Sequence, residues 1–350
     1  MNSVEARKVQ KLGQTSLVVT LPKKWVNNVK LRQGDLVFLS PESDGSLKLI
    51  PKKLAKGEAE EITYIINADL CTEPRMLERV ITACYLLGYD KIVVKTEKPK
   101  LELQHLQEIR NSVNRHSELS IFDQKPDMVV IQCFVDPTRF PLQSLMKRMV
   151  NLVNSMLSFI LHAFSGGDLS LLEEVEYIEK EVDRLYWLSL RQLFLAQNNR
   201  EAAKTIGIEE PLQILGNRAI VKALEEVADN IEDTSKIVLK VRDSKEIQAR
   251  LKSMVGFVQE IQKISEDMLK ALFELDFKLA NSIMERVSNL KSLSGFESVS
   301  ETSSVTEAIL FARLYEILDR YNLIAEIVIN RSLERPSEIL KIEKITAQST

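Results

Sequence analysis

The spacing of apolar and polar residues changes twice along this chain. Residues 7–51 read as short strands: Leu17, Val19 and Leu21 alternate with Val18 and Thr20, as in a half-buried strand. Pro22 fits the first position of a short helical turn through Trp25 and Val29. The stretch Leu31-R-Q-G-D-L-V-F-L39 restarts a strand after Gly34, and Asp44-Gly45 predicts a hairpin turn before Leu47–Ile50. Lys52-K-L-A-K-G-E-A-E-E61 is charged, small and aperiodic, the composition of a linker. Strand-like Ile62–Ile66, helix-like Pro74–Leu87, strand-like Lys91–Lys95, helix-like Leu101–Val113 and two last strands, Leu119–Phe122 and Met128–Val135, then predict a compact α+β module.

From Pro141 the period becomes helical. Helices are expected over 142–164, 168–198, 210–241, 245–273, 275–292 and 303–334, separated at Gly166-Gly167, Ile208–Pro211 and the Ser/Glu-rich Ser292–Ser304. Six antiparallel helices with short connections form a bundle. The expected fold class is therefore multidomain α+β: a dimeric N-terminal β unit over 1–53, a small α+β module over 60–136 and an all-α region over 141–335. A chain of 350 residues exceeds one comfortable core, which fits two or three domains.

Size and charge set the first segment apart. So little sheet cannot bury a core of its own, and a partner chain is the simplest cover. Residues 1–57 hold eleven Lys/Arg against four Asp/Glu, a balance of +7, while the remainder holds 36 against 46, or −10. A basic end on an acidic body points to an anionic partner for that segment. Cys71, Cys84 and Cys133 are odd in number and lack metal spacing, as expected of buried thiols in a reducing cytoplasm. No signal-peptide pattern precedes the strands, and Lys147, Arg148, Asn151 and Asn154 interrupt the most apolar helix, so no membrane insertion is expected. His105 and His162 read as packing or surface residues. Glycine-rich phosphate loops, zinc-type Cys/His clusters and nucleophile elbows are missing from the sequence, which argues against an enzyme.

Two acidic i,i+4 pairs lie on the helices: Glu179 with Asp183, and Glu225 with Asp229. Each pair lies roughly 120° from the middle of its helix's apolar stripe, and both are offset to the same side, at about 100° per residue. Neighbouring helices can thus gather four carboxylates at the bundle surface, and repelling carboxylates call for a cation. Oxygen ligands favour hard ions such as Mg, Mn, Ca or ferric iron. The plainer alternative is a solvated acidic face in which such pairs recur by chance. A weak internal repeat lays Asp229-N-I-E-D-T-S-K-I-V238 over Asp319-R-Y-N-L-I-A-E-I-V328, which implies two three-helix copies, 141–242 and 245–335.

At these residues the chain resembles PhoU, a phosphate-signalling family of two three-helix repeats with E/D-x-x-x-D motifs that bind surface metal clusters. The resemblance covers residues 141–335. It implies metal ligation (Mg, Mn, Fe or Zn) by Glu179, Asp183, Glu225 and Asp229. The second repeat departs from the pattern: Glu285 is followed by Asn289, and Tyr315 precedes Asp319 with Glu316 one residue off, so the metal site is carried to the first repeat alone. The stretch K-V-Q-K-L-G-Q-T-S-L-V-V-T-L-P-K-K-W, with K-L-R-Q-G-D-L-V-F-L after it, is similar to the AbrB/MazE-type (SpoVT-AbrB) swapped-hairpin DNA-binding domain. That resemblance implies a homodimer through interleaved hairpins and a grip on double-stranded DNA. Phosphate contacts are expected from Arg7, Lys8, Lys11, Lys23 and Lys24, with Gln14, Thr15 and Ser16 positioning the backbone or reading a base edge. The chain then reads as a cytoplasmic regulator of phosphate uptake. Two alternatives stand beside this: an adaptor docking on a phosphate transporter ATPase or a signalling protein, and an antitoxin-like protein.

Overall fold

A computed structural model describes residues 5–41, 45–52, 63–116, 118–134, 136–293, 305–334 and 339–341. Chain contacts divide it into two compact units, residues 1–62 and 63–350. The protein is mixed α+β, with small strands at the start and mostly helix towards the end. Among the described residues, no helix is long and apolar enough to cross a membrane.

In the first unit, β1 (Gln10–Leu12) pairs antiparallel with β2 (Ser16–Val18), and β3 (Val37–Pro41) with β4 (Leu47–Pro51). The short helix α1 (Lys23–Asn28) lies between the two ladders in sequence. Gly13 turns the first hairpin at φ +69°, a left-handed backbone that glycine adopts without a Cβ clash. Pro22 takes the capping position just before α1 rather than its first turn, with an extended ψ of 125°. Asp44 of the expected turn and the linker beyond Lys52 lie outside the described residues. Pro51 alone among the described residues of this unit is buried. Leu17 is 72% exposed, Leu12 63% and Leu39 60%, so the expected shortage of core is present.

The second unit begins with a four-stranded sheet in the order β5-β6-β8-β7. Its strands are β5 (Tyr64–Asn67), β6 (Lys91–Lys95), β7 (Leu119–Lys125) and β8 (Met128–Cys133), with β5 parallel to β6 and the other pairs antiparallel. Helices α2 (Met76–Leu86) and α3 (Leu103–Arg115) pack against one another, and Leu77, Ile81, Tyr85 and Ile109 meet Ile66, Ile92, Val94, Val129 and Ile131 of the sheet. β7 continues three residues past the expected end at Phe122, because a bulge there lets the strand resume its ladder.

The remaining elements are helical. They are α4 (Leu142–Phe164), α5 (Glu173–Asn198), α6 (Arg200–Thr205), α7 (Leu212–Lys240), α8 (Lys245–Ser253), α9 (Val255–Glu274), α10 (Phe277–Leu293) and α11 (Val305–Ser332). Their buried stripes merge into one continuous apolar core. Two expected boundaries differ. A 3-10 turn over Leu169–Leu172, capped by the Asp168 side chain, precedes α5. The helix expected over 245–273 breaks at Met254, which buries its side chain in the core just ahead of the weak helix former Gly256. The Ser292–Ser304 break lies mostly outside the described residues. Arg191 of α5 ties the helices to the sheet layer. Fully buried, it donates to the Tyr85 carbonyl, pairs with Asp90 at 2.6 Å and sits 4.8 Å from the Tyr85 ring centroid.

Candidate functional site

Helices α5 and α7 pack along their length because Val175, Val182 and Leu185 on one, and Ile220, Leu224, Val227 and Ile231 on the other, belong to the same core. The acidic residues beside those stripes are carried to the seam. Oxygens of Glu179, Asp183 and Asp229 lie within 4.8 Å of one another. Metal–oxygen bonds of about 2.0–2.6 Å allow two ligands of one ion to be roughly 4–5 Å apart, so the spacing fits a single hard cation. No ion pair within 4.0 Å reaches the three carboxylates among the described residues.

Glu225 does not join them. It is buried rather than facing solvent, and Lys222, one turn earlier on α7, holds its carboxylate. The sequence reading of four surface ligands is therefore not what the geometry presents: three converge, and the fourth stands behind its own ammonium. The i,i+3 spacing of Lys222 and Glu225 was the available signal for this.

The electrostatics reflect crowding. Burial, then the charges of Asp183 and Glu232, push Glu179 up to about 8. Burial raises Asp229 to about 6, with Asp183 adding to it, although Asp229 is the most exposed of the four by surface area. Asp183 is also raised by burial, and the Arg115 guanidinium on α3 pulls it back. Glu225 rises to about 7 through burial, against the pull of Lys222. All four carboxyls are held above their ordinary range (about 4), and a cation entering the cluster would favour their ionised forms. Glu232 and Arg115 contribute to this field. Arg115 belongs to the sheet layer, and no periodicity in the sequence connects it to α5.

In the later helices Asp319, the counterpart of Asp229, and two acids of α9 are neutralised from within the chain. Asp319 pairs with Lys291, whose ammonium also lies 5.7 Å from the Tyr315 ring centroid. Arg286 bonds Glu260 at 2.7 Å and Asp267 at 2.6 Å.

In the first unit Arg7, Lys8, Lys11, Gln14, Thr15, Ser16, Lys23 and Lys24 are all exposed. Lys11 stands on β1 opposite Leu17, Gln14 and Thr15 form the hairpin turn, and Ser16 opens β2. Arg7 is paired with Glu5. Lys23 and Lys24 begin α1, whose first turn holds no acidic residue. Cations at the positive end of a helix do not stabilise it.

A family model for the PhoU domain matches residues 146–238, which include all four carboxylates above. A second, described as antidote-toxin recognition MazE, bacterial antitoxin, matches residues 10–56. The chain is similar to the crystal structure of PhoU from Pseudomonas aeruginosa at 16% identity, covering 54% of this chain and 93% of that one with a TM-score of 0.43. No curated protein matches the chain.

Proposed function

Starting from a chain that is PhoU-like over 146–238 and MazE-like over 10–56, we propose a homodimeric DNA-binding regulator of phosphate uptake. The observation that carries this reading is the joining of the two segments on one chain, one basic and short of core, the other bearing an unneutralised carboxylate cluster. The two hairpins of the first unit interleave with those of a second copy in a swapped-hairpin barrel, which covers Leu12, Leu17 and Leu39. Lys8, Lys11, Lys23 and Lys24 then meet phosphates, with Gln14, Thr15 and Ser16 nearest the bases. The helices, as two three-helix repeats, bind a hard cation at Glu179, Asp183 and Asp229 and report phosphate status. When bound, the cation supplies the positive charge that lets the three carboxylates stay ionised at the α5–α7 seam.

Mapping genomic binding sites in phosphate-replete and phosphate-starved cells tests the reading. Sites near phosphate-transport genes that change with phosphate are expected; sites unrelated to transport and indifferent to phosphate would defeat it. Duplex affinity is expected to fall steeply with salt, and the double substitution Lys23→Ala, Lys24→Ala to flatten the log–log slope by about 1.8 per chain. A second reading rests on the description of the matched MazE model: the first unit answers to a small toxin protein. Co-purification of such a partner, with no duplex binding, would favour it.

A further inference from the structure

One face of the four-stranded sheet carries chemistry that the proposed function leaves unused. Successive side chains on a strand point to opposite faces, so Ile66, Ile92, Val94, Val129 and Ile131 look towards α2 and α3 and fill that core. Their neighbours Ile65, Val93 and Val130 are in register across β5, β6 and β8 on the other face, outside that core cluster; Ile65 at the edge is 68% exposed, whereas Val93 and Val130 in the middle of the row are buried. The next row in register on this face is Lys95, Met128 and Lys125, with both lysines exposed and Met128 half-buried.

The bulge in β7 adds aromatic groups. Register passes from Ile121 opposite Ile131 to Asp123 opposite Val130, leaving Phe122 as the extra residue. A bulge gives up regular pairing and re-aims a side chain, and such features recur beside functional sites. Phe122 is 63% exposed, and its ring centroid lies 6.3 Å from that of Phe134, itself 59% exposed. Three residues of strand separate Phe122 from Lys125, roughly 10 Å at 3.3–3.4 Å per residue. Phe134 lies just beyond the end of β8, so the two solvent-facing phenyl rings sit roughly 10–20 Å along the strands from the lysine row, with Asp123 opposite Val130 between them.

We propose that this face binds single-stranded nucleic acid, with bases stacking on Phe122 and Phe134 and phosphates meeting Lys95 and Lys125. Aromatic platforms flanked by cations suit single strands, whose base faces are free, whereas a duplex hides those faces in its stack. Sheet-on-sheet pairing with a second copy would bring two lysine rows together, and an acidic peptide would answer the lysines without using the rings.

The test titrates labelled oligo(dT) and oligo(U) with full-length protein carrying Lys23→Ala and Lys24→Ala, so that the duplex-contact segment does not dominate. Binding of either oligomer at low salt is expected. Phe122→Ala with Phe134→Ala should weaken it about tenfold or more, Phe122→Tyr with Phe134→Tyr should retain it, and Lys95→Ala with Lys125→Ala should flatten the salt slope by about 1.4. The stronger oligomer identifies DNA or RNA as the source. All these positions are exposed, and melting curves confirm that the variants fold. Absence of binding to both oligomers overturns the proposal. So does affinity unchanged by the double Ala substitution, or loss of self-association on that substitution in place of loss of oligomer binding. Duplex binding is read separately, so this proposal and the proposed function can fail independently.

Discussion

The earlier helices, α4 to α7, and the later ones, α9 to α11, share one core, yet only the earlier set gathers several carboxylates without a cation among the described residues. In the later set, Arg286 bridges Glu260 and Asp267, and Lys291 holds Asp319. Burial alone raises Glu260, but Arg286 and Lys263 overcome it and leave that carboxyl below its ordinary range. In the earlier set, Glu179, Asp183 and Asp229 converge with no such cation, and all three are raised. Half-buried carboxylates are tolerable when the fold supplies the opposite charge, and a demand for charge from outside when it does not. The difference separates acids that the chain pairs internally from three that converge without a counter-charge.

Removing the demand should have the largest effect. Asp183→Asn with Asp229→Asn leaves one of three converging ligands, and metal affinity is expected to fall more than about a hundredfold, beyond the loss typical of outer-shell changes. Metal analysis of the purified protein reads this directly. Asp319→Asn in the later helices should leave the bound metal unchanged. Unaltered stoichiometry in the first variant, or equal losses in both, would erase the contrast.

Protonation offers a second way to probe it. Metal-free protein carries carboxyls at about 8 for Glu179, 7 for Glu225 and 6 for Asp229. The folded state therefore holds these protons more tightly than the unfolded chain, where they leave near pH 4. That stabilisation is complete below about pH 4 and is lost as pH rises through the folded values, so the melting temperature of chelated protein should drop between about pH 5 and 8. Glu179→Gln should remove the upper part of the drop. Added cation should act in the reverse sense, binding more tightly as pH rises, because it needs the ionised carboxylates.

The two sets of helices were not equally legible in the sequence. Apolar residues three and four apart located all the long helices, since each buries one stripe and the stripe leaves its period in the chain. The break at Met254 left no such mark, because its buried side chain continues the apolar pattern through the discontinuity. For the carboxylate cluster, i,i+4 spacing brought out the two helices and the three residues that converge. It could not show that Lys222 withdraws Glu225, a matter of rotamer and burial, nor that Arg115 arrives from a different layer. The β7 bulge was missed for a related reason: strand periodicity assumes an unbroken ladder, and Phe122 is where the ladder skips.

Smaller effects should come from disturbing the self-contained side. Arg286→Met strands Asp267 and leaves Glu260 with Lys263 alone, and all three side chains are about 30% exposed, so solvent screens much of the change. A cost of about 1 kcal/mol is expected, read from urea unfolding at neutral pH. Lys291→Met should cost less, about 0.5 kcal/mol, because Asp319 is 57% exposed and water can replace the ammonium. The sharper measurement is the response to cation. If the later helices differ from the earlier ones only in carrying their own positive charge, Arg286→Met should make stability newly sensitive to added divalent metal, through unpaired Asp267 and a Glu260 left with Lys263 alone. Lys291→Met should not, since a lone exposed carboxylate holds no ion. Sensitivity in neither variant would mean that the convergence of three ligands in the earlier helices, rather than the want of a counter-charge, sets the two halves apart.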